Sequence, residues 1–507
     1  MDKRPRLMKF IPYQISRLGS LAFVAVFCGS ATMASAGSAT WLANPATGNW
    51  NTATNWNPAT VPNGPSDVAT FSVSNQRNVE VTNSIVLNSI VFSPDASAFT
   101  ITSSSSFASV LINGAGVINN SALAQNFFVN AVGRDRGDLS FAGTATAGDA
   151  IYSMAGGPVS NSFGGNTSFF NTSTADTGTF FLDGGTASGA SGGGVLFFDS
   201  STAGSANFTI NAGMVAGATG GHLEFSNTST AGSSNIIVNG SQIADGGVVF
   251  FLDDSTGGTA NVVLLGNATL DLTLHSPAGV SLASVQGDGL VSLGSSRLTI
   301  NTRLVVPFSG VISGFGSLVK EGRGTYELRN GSTYTGGTRI KEGTLLANNT
   351  NASATGTGPV HVASGALGGT GTIAGPVTVG SNTPGNGSFL TPGQSFTRPG
   401  KLTLLNRLTF RSDGFFNVGL GAQSTFSQVV ANGVRIDTEG TFAFFNNRGV
   451  TVPVGTVLVL IDNTSVRPID GQFENLRDGL VFTDHANTFQ VSYTGGDGND
   501  LTLTRLP

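Results

Sequence analysis

Gly189-Ala190-Ser191-Gly192-Gly193 satisfies the G-x-S-x-G pattern, in which a serine nucleophile sits on a sharp strand-to-helix turn. Here it lies inside a Gly/Ser run, GGTASGASGGG at 184–194, with no helical pattern after it, so it reads as a chance match in a corner. A carboxylate pair is the second candidate. Asp199 and Asp253 hold equivalent positions of a repeated phrase, and stacked two coils apart they would stand about 9 to 10 Å from one another, near the separation of an inverting glycosidase pair. No Arg, Lys or His recurs beside them, and the favoured reading of the same residues is a ladder of turn-formers bonding to nearby backbone. His222, His275, His361 and His485 are far apart and make no metal-ligand spacing. No catalytic residue, metal or cofactor is implied.

Two further motifs stay weak. Gly495 to Asp500 (GGDGND) resembles the start of a single calcium-binding nonapeptide, where tandem copies are needed to share ions and Thr502 stands where an apolar residue belongs, and it reads as a terminal hairpin turn. Arg136-Gly137-Asp138 spells a tripeptide that adhesive proteins show to integrins, but three residues in a Gly-rich chain carry little. The remaining candidates are Trp41, Trp50 and Trp56, the only tryptophans. Flat amphipathic rings could stack on sugars as a carbohydrate contact. They could equally cover the open end of a repeat array, which such arrays require for solubility, and this cap is the favoured reading.

The elements that must position these residues are repetitive. FAGTATAG, FFNTSTAD, FFDSSTAG, FSNTSTAG and FLDDSTGG begin at Phe141, Phe169, Phe197, Phe225 and Phe251. The first three steps are identical and the last is slightly shorter, and a period of this kind, roughly 28 residues, marks a solenoid or array. Each phrase leads to a second alternating stretch, such as FTINAG from Phe208 or IIVNGS from Ile236, which reads as a half-buried strand. Units of two or three short strands cannot bury their apolar sides alone, so they stack at about 4.8 Å per coil. The expected fold is an all-β parallel β-helix with the phenylalanines in an internal ladder. Gly143, Asn171, Asp199, Asn227 and Asp253, three residues before each repeated Thr, should align as a second ladder.

Composition agrees. Charged residues are 10% of 507 against about 25% in ordinary globular chains, which leaves little material for amphipathic helices. The N-terminus reads as a signal peptide: five basic residues, the apolar run LAFVAVFC at 21–28, and Ala34-Ser35-Ala36 before an expected cleavage at Gly37. The run is too short to span a bilayer, and nothing comparable follows it, so no transmembrane anchor is expected after its removal. Cys28, the only cysteine, lies inside it; a lipid anchor there is disfavoured by the bulky Phe27. The processed chain has no disulfide and carries 19 basic against 28 acidic residues, which argues against nucleic acid or an anionic membrane as partner.

Residues 316–349, GSLVKEGRGTYELRNGSTYTGGTRIKEGTLLANN, resemble the autotransporter-associated β-strand repeat, also called the passenger-associated transport repeat. The family's positions are held by Gly316, Lys320, Gly322, Gly324 and Thr325, then Tyr334, Gly336, Gly337 and Thr338, then Gly343 and Leu345; Ser317 and Ser332 depart from it. The Trp-rich stretch 41–71, the STAG units and the tail from 390 also look like parts of bacterial passenger domains. The resemblance implies a right-handed parallel β-helix outside the cell, commonly of adhesive or unknown function. Autotransporters end in a membrane barrel, whereas this sequence stops at Pro507 after a passenger-like tail, so export by another machine, or residence in the periplasm, is expected.

The expected organisation is a signal peptide at 1–36, a Trp-rich N-terminal cap at 37–75, first coils at 76–135, and the roughly 28-residue STAG solenoid at 136–310. The passenger-associated repeat region follows at 311–385, and a β-rich C-terminal region at 386–507. The favoured function is a non-catalytic secreted or cell-surface scaffold in adhesion, surface structure or matrix. Extracellular polysaccharide or cell-surface components are candidate partners, and open solenoid ends invite end-to-end self-association. A carbohydrate-binding module using the tryptophans and a polysaccharide lyase or hydrolase on a β-helix are the alternatives; the latter needs clustered carboxylates and basic residues in a groove.

Overall fold

A computed structural model describes residues 37–103, 108–383, 385, 387–446 and 448–507. The signal peptide and Cys28 lie outside the described residues. The unit beginning at Ala36 is all-β, with two single-turn 3-10 helices at Ala53–Asn55 and Ala422–Ser424 among its described residues. It is a parallel β-helix.

One coil shows why this sequence folds as it does. In the phrase beginning at Phe197, strand Gly194–Phe197 pairs in parallel with Asn166–Phe169 before it and His222–Phe225 after it. Asp199 then turns the chain with φ of 54°, and Gly204 further along turns it again with φ of 59°. Asn, Asp and Gly tolerate this left-handed region best, which is why the repeat spends them there. Between the two corners only Thr202 bridges to the coils above and below, one member of the row Gly116, Thr146, Thr174, Thr202, Thr230 and Thr256. The second strand, Asn207–Ile210, joins a second parallel sheet between Thr179–Leu182 and Asn235–Val238. A glycine-rich loop then returns to the first sheet. At Gly192 the stacked loops run so close that a Cβ would strike the backbone of Gly220 in the next coil.

The interior is built from the inward positions of both strands and of the corner. Phe141, Phe169, Phe197, Phe225 and Phe251 are buried and in register, with ring centroids 4.9, 4.6, 5.0 and 4.9 Å apart and planes within 17° of parallel. The second sheet contributes another stack, Phe127, Tyr152, Phe180 and Phe208, at 5.0, 4.7 and 5.0 Å. The two stacks meet edge to face, as at Phe197 and Phe208, where the planes cross at 83°. Offset stacking within a column and edge contact between columns are the two arrangements that the ring quadrupole favours.

The long STAG coil does not continue to residue 310. In the first sheet Val248 pairs with Thr269, Thr269 with Leu290 and Leu290 with Val311, a constant step that is shorter than the one joining Phe141, Phe169 and Phe197. The shortening comes from the return loop, which covers 239–247 in one coil and only 265–268 in the next. At the same point the single-residue Thr bridges widen into a third parallel sheet running from Val280–Leu282 to Val434–Ile436.

Both ends of this unit abandon parallel pairing. At the N-terminal end Trp56–Asn57 lies antiparallel on Ala39–Trp41. At the C-terminal end Val457–Asn463, Asp500–Leu506, Asn487–Gly495 and Val481–Asp484 form an antiparallel run beside the last coils. GGDGND at 495–500 makes the turn between two of these strands, with Asp500 Oδ1 accepting from the Asn463 N–H at 2.8 Å.

Candidate functional site

The three tryptophans come together at the N-terminal end. Trp41 and Trp50 both pack against Trp56, with centroids 4.9 and 4.8 Å away, and all three sit over Phe71, the first ring of the interior. Each indole N–H donates to a backbone carbonyl: Trp41 to Gln76, Trp50 to Pro62 and Trp56 to Trp50. Their exposures are 1, 0 and 1%, so a sugar could stack on these rings only if the segment opened. Asn55, which the sequence did not single out, holds the segment closed. Fully buried, it accepts from the N–H groups of Ala46 and Thr47 and donates to Thr47 Oγ1 and the Asn49 carbonyl. A buried amide with every group satisfied fixes a loop that has no strand ladder of its own.

Asp199 and Asp253 sit in a ladder of side chain to backbone bonds. Asn171 Oδ1 accepts from the Gly143 N–H at 3.0 Å, Asp199 Oδ2 from Asn171 at 2.8 Å, Asn227 Oδ1 from Asp199 at 3.0 Å and Asp253 Oδ2 from Asn227 at 3.0 Å. Each left-handed residue thus pins the one in the coil before it. The buried Ser173, Ser201 and Ser229 do the same inside the corner, donating to the carbonyls of Phe141, Phe169 and Phe197. Carboxylate oxygens that accept from backbone are held as structural acceptors, and no basic side chain stands beside them as an ion-pair partner among the described residues.

Ser191 of the G-x-S-x-G match lies in the stacked return loop, its N–H bonded to the Ser162 carbonyl. Arg136 and Asp138 pair with each other at 3.3 Å, and the Arg136 guanidinium lies over the Phe163 ring. Burial raises the Asp138 pKa and Arg136 opposes that shift. His222 is brought to this neighbourhood, and burial first and the Arg136 charge second push its pKa down to about 4. No group of three His, Cys, Asp or Glu residues among the described ones could hold a metal ion.

The densest constellation is at 318–347. Lys320 points inward and is fully buried. Its Nζ donates to the carbonyls of Glu321 and Gly322 at 2.6 Å each and, in the next coil, of Glu342 at 3.2 Å. Burial lowers its pKa to about 8, against the opposing pull of Glu342 and Glu321. Gly343 has φ of 71°, and a Cβ there would strike the Gly322 and Gly324 carbonyls and crowd Lys320 Nζ. Tyr334 is buried, its hydroxyl 2.5 Å from Thr338 Oγ1 across a turn in which Gly337 has φ of 85°. Burial raises the pKa of Tyr334 and of the neighbouring Tyr326.

Residues 318–347 match the family signature described as Passenger-associated-transport-repeat. The chain carries a passenger-associated transport repeat. Over 115 residues it is 36% identical to the Adhesin BmaC autotransporter of Brucella suis biovar 1 (strain 1330), a stretch that is 22% of this chain and 3% of that protein. The chain therefore spans a small part of the length of its curated relative. Its likeness to autotransporter passenger repeats and to an adhesin is confined to these partial stretches.

The geometry accounts for the spacing of the passenger-associated transport repeat. Lysine is needed because three carbonyls converge where two coils meet, and one ammonium has three donors. Glycine two residues later turns the chain around that ammonium, and the glycine before the closing leucine leaves room for it in the next coil. The Tyr-Thr-Gly-Gly-Thr segment is a corner latched by its first and last hydroxyls. Within the repeat these residues act on coil stacking.

Proposed function

We propose that this chain is a non-catalytic β-solenoid, secreted or held at the cell surface, that presents an adhesive surface. The observation that carries this reading is the passenger-associated transport repeat set in a continuous stack whose recurring polar residues are spent on inter-coil bonds. Likeness to an adhesin supports the adhesive role, and the passenger relation supports a location outside the cytoplasm. Among the described residues, no helix is long and apolar enough to cross a membrane. Stacked coils suit display: each coil buries its aromatic column and leaves a broad regular face outward, and the cost of adding a coil is local.

The test incubates purified residues 37–507 with a panel of acidic and neutral polysaccharides and measures both retained protein and released oligosaccharide. Retention on a surface ligand with no release is the expected result. Release that disappears in an Asp199→Ala or Asp253→Ala protein would overturn the reading and make the corner ladder an active site.

A further inference from the structure

Charge is distributed unevenly along the stack. Of the 19 basic residues beyond residue 36, only Arg77, Arg134 and Arg136 precede residue 297, whereas the 28 acidic residues divide 15 to 13 about the same point. Residues 37–296 carry a formal charge of −12 and residues 297–507 one of +3. The change coincides with the third sheet, and that sheet's outward row collects part of the basic set. Arg339 pairs in register with His361, His361 with Thr378, Thr378 with Thr409, and Thr409 with Arg435. Four coil steps of about 4.8 Å place the two arginines about 19 Å apart, with an imidazole and two hydroxyls between them.

Midway along the row is a shallow cavity of 330 Å³ lined by His361, Thr378, Gly380, Ser381, Asn382 and Arg411. Its walls are held in place. Arg339 Nη1 donates to His361 Nδ1 at 2.9 Å, and His361 Nε2 donates to the Gly380 carbonyl at 2.9 Å. Asp413 accepts from the N–H groups of Ser381 and Asn382 and from Ser381 Oγ, which shapes the loop. Asp437 lies between Arg411 and Arg435 and is less exposed than either, 17% against 43 and 53%, while the row ends beyond Arg435 at an exposed carboxylate, Asp470, 3.9 Å from that guanidinium. Arg339 makes no ion pair among the described residues, and Arg407 is exposed just before strand Leu408–Phe410 of the same sheet.

From this arrangement we infer that the outward row of the third sheet, Arg339 to Arg435 with the cavity at Arg411, is a binding site for an extended anionic polysaccharide bearing carboxylate or sulfate groups. Guanidinium forks match both anions. The hydroxyls of Thr378 and Ser381 and the amide of Asn382 suit sugar hydroxyls, and the coil rise is close to one ring of an extended glycan. Single-stranded nucleic acid fits less well, because such sites interleave cations with stacking aromatics and this row has none beyond His361. The inference rests on the non-catalytic adhesive reading and gives it a ligand class and a place.

The experiment measures retention of residues 37–507 on immobilised heparin-type sulfated polysaccharide, polygalacturonate, neutral dextran and single-stranded DNA, over a salt series. The expected result is salt-sensitive retention on one or both anionic glycans and none on dextran or DNA. Arg339→Gln with Arg411→Gln weakens it by roughly tenfold or more through lost charge-assisted bonds, at unchanged melting temperature. Arg77→Gln with Arg134→Gln, the same charge change on exposed residues outside this sheet, leaves retention intact. Sulfated against carboxylated glycan identifies the anion. Equal loss in both double variants, full retention in the first, or preference for DNA would overturn the site. Adhesion to whole surfaces without anionic glycan binding would overturn the site and leave the adhesive reading standing, whereas glycan cleavage would overturn that reading and not the site.

Discussion

Phe197 is the ring on which the stacking argument can be measured. It is fully buried, with Phe169 4.6 Å below it, Phe225 5.0 Å above it and the edge of Phe208 at 6.2 Å. Truncation to alanine removes a buried aromatic from the middle of a column, and such changes cost about 3–5 kcal/mol. Leucine keeps most of the apolar burial but forfeits two stacked pairs, each worth about 0.5–1.5 kcal/mol, so Phe197→Leu should cost about 1–3 kcal/mol. Phe198, the next residue, is half-buried and stacks on Phe170 at 5.1 Å outside the column; Phe198→Ala should cost well under half of the Phe197→Ala loss. Denaturant unfolding of residues 37–507, with amide exchange resolved by segment, supplies the readout. Exchange should quicken around 141–251 and stay unchanged beyond residue 316, because coils couple mainly to their neighbours. A Phe197→Leu protein as stable as wild type would refute the stacking contribution. Equal losses at Phe197 and Phe198 would refute the inward column as the source of stability.

Other positions yield sharper contrasts. Asp199→Ala should cost about 1–3 kcal/mol in an unfolding titration, from a strained left-handed alanine and the lost bond to the solvent-exposed Asn171 N–H, while Asp199→Asn should be nearly neutral and Asp199→Gly intermediate. Lys320→Met removes the ammonium that three carbonyls share and should destabilise the chain by about 1–3 kcal/mol or more. Because the folded Lys320 pKa is lowered to about 8, the unfolded chain holds a proton that the folded chain has released between there and the unperturbed value near 10.4. The stability of wild type relative to Lys320→Met should therefore rise over that interval, and a flat difference in melts from pH 8 to 10 would contradict the assignment. His222, lowered to about 4, works in the acid range: the unfolded chain binds its proton below about 6.5, so wild type should lose stability from there down to about pH 4, and His222→Gln should lose less. Trp56→Ala should open the N-terminal end at a cost of about 3–5 kcal/mol, with exchange quickening in residues 37–135.

Much of this architecture was legible because a solenoid writes its geometry into its period. The Phe and Asx ladders could be read from the regular spacing of Phe141, Phe169, Phe197 and Phe225, since inward rings and left-handed corners recur once per coil and tolerate few residue types. The signature at 316–349 was equally plain, though the reason for its lysine was not: three carbonyls converge only when two coils are stacked. The second aromatic column went unread because it mixes Phe127, Tyr152, Phe180 and Phe208 and then passes to Ile236, so no single letter repeats. The shortening of the coil after Phe251 was hidden for a related reason: loop length changes while strand register persists. The same physics conceals the row from Arg339 to Arg435, whose members are unevenly spaced along the chain and one hydrogen-bonded step apart in space. Sequence alone determined the kind of coil, because backbone corners and inward packing constrain residue type. Which outward side chains stand beside one another was decided by the stacked sheet, because hydrogen-bond register is set between coils and is indifferent to the length of the loop that joins them.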